Sequence, residues 1–153
     1  SGGYRMTQRY HNPFAGIDLV VPIEQDSDYD RYCQTVSRAS NDQSPFPRKI
    51  DLWFVGLSLA ARKQLNPVDL SKRKTSKFHE GSVLDSDSWR IQAIMLIAIE
   101  IAGNVEIVGQ PRRMIAIANG LAAAGVPYIV EILREGDLDP IWDLSDDLDE
   151  ILK

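Results

Sequence analysis

The sequence has one cysteine and two histidines in 153 residues. A lone cysteine excludes an intramolecular disulfide, and without a second Cys or His at ligand spacing it offers no zinc site of the usual kind. Cys33 has no cation three or four residues away to depress its pKa, so packing suits it better than nucleophilic chemistry. No serine sits in a nucleophile-elbow context, and no glycine-rich loop leads into a Lys-Ser/Thr pair, which leaves hydrolase and P-loop chemistry without a foothold. Long apolar runs are missing too. The greasiest stretch, IQAIMLIAIEIAG at 91–103, is broken by Gln92 and Glu100 and falls short of the roughly 20 apolar residues that span a bilayer. With no apolar segment near the N-terminus either, the chain is expected to act in the cytoplasm, away from membranes.

What the sequence does have is helical periodicity, and a 44 % hydrophobic fraction is enough for one core at this length. Residues 1–25 are turn-rich and carry one β-branched run, IDLVVPI, closed by a proline. They are expected to form an extended arm with room for one short strand, followed by a single helical domain over 26–153. Tyr29, Tyr32, Cys33 and Val36 recur at helical spacing, predicting a helix over 27–39. Ile50, Trp53, Phe54, Leu57 and Ala61 form a second stripe, ended by the Asn-Pro of NPVD. Residues 67–84 are too polar for a packed helix and leave room for a turn or strand. The segment from Asp85 opens on capping residues, runs apolar nearly all round and stops at Gly103, predicting a buried helix. Pro111 begins another that ends at Gly125, and Pro127 begins a further one ending at Gly136. The resulting expectation is an all-α fold, a compact bundle of five or six helices. Its predicted core contains Trp53, Leu57, Ile94, Ile97, Ile101, Ile115, Leu121 and Ile129. Gly120, amid alanines, predicts close helix packing, with the Asn119 side chain satisfying a buried carbonyl.

Charge is unevenly placed. Between positions 48 and 77 Arg48, Lys49, Arg62, Lys63, Lys72, Arg73, Lys74 and Lys77 face only Asp51 and Asp69, within a chain of net charge -5. The run SKRKTSK at 71–77 is the densest part, and Arg62, Lys63, Lys72, Arg73, Lys74 and Lys77 are the candidates for a phosphate backbone. The competing reading is a solvated loop, and no recognition helix or RNA-binding aromatic signature accompanies the cations. The tail combines Leu138, Ile141, Trp142, Leu144, Leu148, Ile151 and Leu152 with acids, so Trp142, Asp143, Asp146 and Asp147 are the candidates for meeting a protein partner or a second copy of the chain. The same stripe could instead pack back on the domain. The tail acids could also hold a metal ion, but their helical spacing fits an exposed face better, and no catalytic residue, metal or cofactor is assigned. His79 and Glu80, beside Lys77 and Asp85, are the remaining polar cluster, and a loop histidine is the simpler reading.

Three stretches carry a family resemblance: DLWFVGLSLAARKQL at 51–65, WRIQAIMLIAIEIAGNVEIVG at 89–109 and MIAIANGLAAAGVPYIVEIL at 114–133. Together they resemble the small accessory proteins associated with bacterial DNA phosphorothioation (Dnd) clusters, on Gly56 with Arg62-Lys63, Gly103-Asn104, and Ala118-Asn119-Gly120. Leu121 and Ile117 depart from that pattern. The resemblance implies a non-catalytic accessory component in prokaryotic defence or DNA modification. Three functions therefore stand in order: such an accessory subunit, using the basic loop toward nucleic acid and the acidic tail toward a partner; a purely protein-binding adaptor; and a small metal-dependent nuclease.

Overall fold

In the computed structural model, which describes residues 11–34 and 44–135, the chain forms β1 (Asp18–Pro22), α1 (Asp26–Tyr32), α2 (Lys49–Arg62), β2 (Thr75–Glu80), α3 (Ser88–Ala102) and α4 (Pro111–Arg134). Short 3-10 turns occupy Ile23–Gln25, Gly81–Ser86 and Val105–Gly109. The fold is mostly helical, as the periodicity predicts. It is not all-α, because β1 and β2 pair antiparallel, from Asp18 opposite Glu80 to Pro22 opposite Thr75. The reason lies in the period-two pattern of β2. Ser76 and Phe78 turn inward, Thr75 and Lys77 turn out, and the Phe78 ring rests against Tyr29 and Trp53. The N-terminal segment is extended where the sequence predicts it, yet Phe14, Leu19 and Val21 are buried, so residues 14–22 belong to the core. The first helix is shorter than expected. It ends at Tyr32, and Cys33 takes an extended conformation bridged to Phe46.

The centre of the molecule is the crossing of α2 and α4. Gly56 and Gly125 meet there, and a Cβ on Gly125 would overlap the Gly56 carbonyl. Trp53 bonds Asn119 before that crossing and Lys63 covers Tyr128 after it, so the two helices run in the same sense. Gly125 is thus an interior residue of α4 and not its end. Gly120 also marks a close approach, but the neighbour is the loop backbone at Val68, whose N–H donates to the Gly120 carbonyl at 3.0 Å.

α4 runs unbroken through Pro127, where two helices were expected. Proline has no N–H for the carbonyl four residues back, and that loss ordinarily ends or kinks a helix. Here the orphaned carbonyl is that of Ala123, and the buried Gln25 amide donates to it at 3.0 Å. One turn earlier Asn119 joins three elements. Its Oδ1 accepts from Trp53 Nε1 at 3.2 Å and from the Val20 N–H at 3.1 Å, and its amide donates to the Asp18 carbonyl. The expectation of an Asn side chain satisfying a buried carbonyl is met by a strand, not a helix.

α3 departs most from its predicted burial. Ile91, Ala93, Ile94 and Ala98 face the core, and Gly103 caps the helix with φ 77° as expected. Leu96, however, is 68 % exposed, Ile101 is 40 % exposed and Ile97 is only half-buried, so Ile97 and Ile101 are not core residues as predicted. Trp53, Leu57, Ile94, Ile115, Leu121 and Ile129 are buried. The helix lies at the margin of the domain, where a single stripe has something to pack on.

Candidate functional site

The basic run starts in a loop and continues into β2. Its cations are not equivalent. Lys77 Nζ lies 3.0 Å from Glu80 Oε2 and 3.2 Å from Asp18 Oδ1, and these bonds, Glu80 first, hold its ammonium above the usual lysine range. Arg73 meets Glu24 at 3.2 Å. Both acids opposite the run come from or beside β1, brought in by strand pairing across more than 45 residues of sequence. Lys72 and Lys74 are exposed, and no side-chain partner is seen for them among the described residues. Asp69, just before the run, accepts from the Ser71 hydroxyl at 2.6 Å and from its N–H at 3.0 Å, which lowers its pKa. The stretch that reads as four cations therefore carries two that are held by carboxylates and two that are open.

Arg62 and Lys63 lie at the other end of α2. The Lys63 ammonium sits 5.5 Å from the centre of the Tyr128 ring, and Tyr128 is 47 % exposed. Farther back, Arg48 is committed to Asp51 and Asp87, and Lys49 to Asp30, so neither is an open cation. Asp51 also receives Arg90 at 3.0 Å, and the Arg90 guanidinium lies against Phe54 and Trp89. This network ties the start of α2 to the start of α3. Sequence reading missed its link to α3 because Arg90 and Asp51 are 39 positions apart and carry no local spacing signal.

Among the described residues, the polar groups near His79 have other partners. His79 Nδ1 accepts the Glu80 backbone N–H at 2.9 Å, while Asp85 is held by Asn12 at 2.7 Å. Cys33 is fully buried, and desolvation pushes its thiol up to about 12, with Asp51 and Asp30 acting in the same direction and Lys49 against. Among the described residues no three His, Cys, Asp or Glu side chains gather as a metal site. Trp142, Asp143, Asp146 and Asp147 lie outside the described residues.

Two open features stand out among the described residues. One is a groove of about 460 Å³ between β1, the loop 67–71 and α4, lined by Val20, Pro67, Val68, Leu70, Ala116 and Ile117. The other is formed by Trp89 and Leu96 on the outer face of α3, Ile101 in its last turn, and Val105 and Val108 in the turn after it, all at least 39 % exposed. Isolated exposed apolar residues are ordinary, whereas a run of them along one element marks a contact surface.

No protein-family model matches the chain, and no curated protein or solved structure shows significant similarity to it.

Proposed function

We propose that this chain is a non-catalytic accessory domain that works by docking, with the outer face of α3 as its principal contact for a protein partner. The observation that carries this reading is the exposure of Trp89 and Leu96, seven residues apart on one face of α3, with Ile101 exposed near the helix end and Val105 and Val108 exposed in the turn after it, while Ile91, Ile94 and Ala98 of the same helix are core. Trp89 suits the part of anchor, because interface energy concentrates in large aromatic groups with apolar neighbours that exclude water. The setting implied by the resemblance, a prokaryotic defence or DNA-modification complex, fits a subunit of this kind.

The second reading is contact with a phosphate backbone. Lys72 and Lys74 support it as open cations, with Arg62 and Lys63 as a second basic group at the end of α2. Arg73 and Lys77 support it less, since a phosphate would have to compete with Glu24, Asp18 and Glu80.

A photo-reactive amino acid placed at position 96 tests the first reading in cells of the native host. A discrete protein adduct at 96, absent when the same group replaces the exposed Glu131, is the expected result. Identical adduct patterns at the two positions would remove α3 from the reading.

A further inference from the structure

β1 and β2 form a two-stranded sheet, and their ladder fixes which way the backbone groups of β2 point. The Ile23 N–H donates to the Lys74 carbonyl at 3.0 Å, so Ile23 and Lys74, one step beyond Pro22 opposite Thr75, make a hydrogen-bonded pair. Such pairs alternate with unbonded ones in an antiparallel ladder. Val21 opposite Ser76 is therefore bonded, whereas Thr75 and Lys77 turn their N–H and carbonyl groups away from β1. The residue opposite Lys77 agrees with this. It is Val20, whose N–H leaves the sheet for Asn119 Oδ1 at 3.1 Å.

The two edges of the sheet differ. On the β1 side the Asn119 amide stands in for a strand, accepting from the Val20 N–H and donating to the Asp18 carbonyl at 3.4 Å. On the β2 side, among the described residues, no hydrogen bond reaches the outward N–H or carbonyl of Thr75 or Lys77, and both residues are exposed. Open strand edges ordinarily carry lysine or proline to keep other strands off. Lys77 has that position, yet Asp18 at 3.2 Å draws its ammonium toward β1. Lys72 and Lys74, which lead into the strand, are the exposed cations for which no side-chain partner is seen among the described residues.

We infer that β2 receives an extended acidic segment of a protein partner as a third strand. The main chain of that segment bonds the outward groups of Thr75 and Lys77, its carboxylates meet Lys72 and Lys74, and one apolar side chain rests on the half-buried Phe78. Main-chain bonds give such an addition its affinity and side chains its specificity. A two-stranded ribbon is marginal in water, so the third strand also stabilises the sheet it joins. Two other occupants suit the edge less. A phosphodiester accepts hydrogen bonds and has none to give, so a nucleic-acid backbone leaves the Thr75 and Lys77 carbonyls unanswered. A second copy adding its own β2 across a two-fold axis sets one basic run beside the other, and like charges on paired strands repel. The addition is independent of the α3 contact and competes with the phosphate reading for Lys72 and Lys74.

Peptide binding and amide exchange on the full chain test the addition. The probe is a labelled octapeptide of alternating Glu and Val, with a Lys-Val octapeptide as charge control. Fluorescence anisotropy should show the Glu-Val peptide binding at least about tenfold more tightly than the control. In NMR a saturating Glu-Val peptide should slow exchange of the Thr75 and Lys77 amides at least about tenfold. Thr75→Pro removes one outward N–H and no ladder bond, and should weaken the peptide at least about threefold, the worth of one hydrogen bond. Lys72→Ala with Lys74→Ala keeps the backbone edge and should weaken it at least about threefold at low salt. No binding by the parent protein, or equal binding of both peptides, would overturn the addition. Binding that leaves both amides unchanged would overturn it as well, a readout that holds even where Thr75→Pro fails to fold. Undiminished binding by folded Thr75→Pro would remove the main-chain pairing, and by the lysine variant the acidic character of the partner. Slow exchange of both amides in the protein alone would also overturn it, giving the edge to a second copy where protection grows with concentration and to the chain itself where it does not. A mixed-sequence DNA duplex that protects both amides in place of the peptide would give the edge to nucleic acid.

Discussion

Gln25 donates its side-chain amide to the carbonyl of Ala123, 98 positions away in sequence, and that carbonyl is the one Pro127 leaves without a helical partner. The strand-side turn therefore repairs the backbone of α4 at its weakest point. Replacing Gln25 by Ala should cost about 1–3 kcal/mol, the usual penalty for a buried polar group left unpaired. Pro127→Ala restores the missing N–H, so in that background Gln25→Ala should cost less, with a coupling of about 0.5–3 kcal/mol in a double-mutant cycle. Urea denaturation of the four proteins gives the coupling. Strict additivity would mean that Gln25 is not substituting for the lost helical donor.

Gly125 faces Gly56 across the helix crossing with no room for a methyl group, since the Gly56 carbonyl occupies that space. Gly125→Ala should destabilise the fold by about 1–3 kcal/mol or more, because two backbones have to separate and the packing between them opens. Gly109 is a fair control, as nothing lies within 4 Å of where its Cβ would be. Gly109→Ala should stay within about 0.5 kcal/mol of the parent. Comparable losses from the two substitutions would show that the crossing is not the cause.

Cys33 should titrate far above an ordinary thiol. Its buried thiol is pushed up to about 12, whereas an unfolded cysteine loses its proton near about 8.5. Between those values the folded state binds more protons than the unfolded one, so stability falls as pH rises; the full contribution is present below about pH 8.5. Tyr29, also raised by burial first and by Cys33 second, acts in the same direction at higher pH. Cys33→Ala should reduce the slope of unfolding free energy between about pH 8.5 and 10. Native protein should alkylate much more slowly at pH 8 than unfolded protein, and equal rates would show that the thiol is open.

Local pattern made α2 legible, because a stripe of Ile50, Trp53, Phe54 and Leu57 needs only its own spacing to declare a buried face. It also gave the end of α3 at Gly103, where the left-handed cap favours glycine. The errors share one cause. Pro127 reads as a break until a donor from residue 25 is known, and Lys77 reads as an open cation until strand pairing brings Asp18 beside it. Ile97 and Ile101 read as core because an apolar helix carries no mark of which of its faces finds a partner. Each needed a long-range contact that composition and periodicity do not encode. Of the candidate site, the cations were found as residues, but their division into held and open ones was not visible.

That division gives the basic run a graded prediction. If it meets phosphates, Lys72→Ala with Lys74→Ala removes two open cations and should lower the slope of log K against log salt on duplex DNA by about 1.8, at roughly 0.9 per phosphate contact. Lys77→Ala should change the slope by less than one contact, because Lys77 already shares Asp18 and Glu80 and would have to give up those bonds to bind. Its removal also leaves Asp18 and Glu80 facing the ligand without their counter-charge, so affinity should still drop while the slope barely moves. Fluorescence titrations of a labelled duplex at several salt concentrations separate the two quantities. Equal slope changes per lysine at 72, 74 and 77 would show that the ion pairs of β1 and β2 do not hold in solution, and an unchanged slope for all three would take the basic run out of nucleic-acid binding.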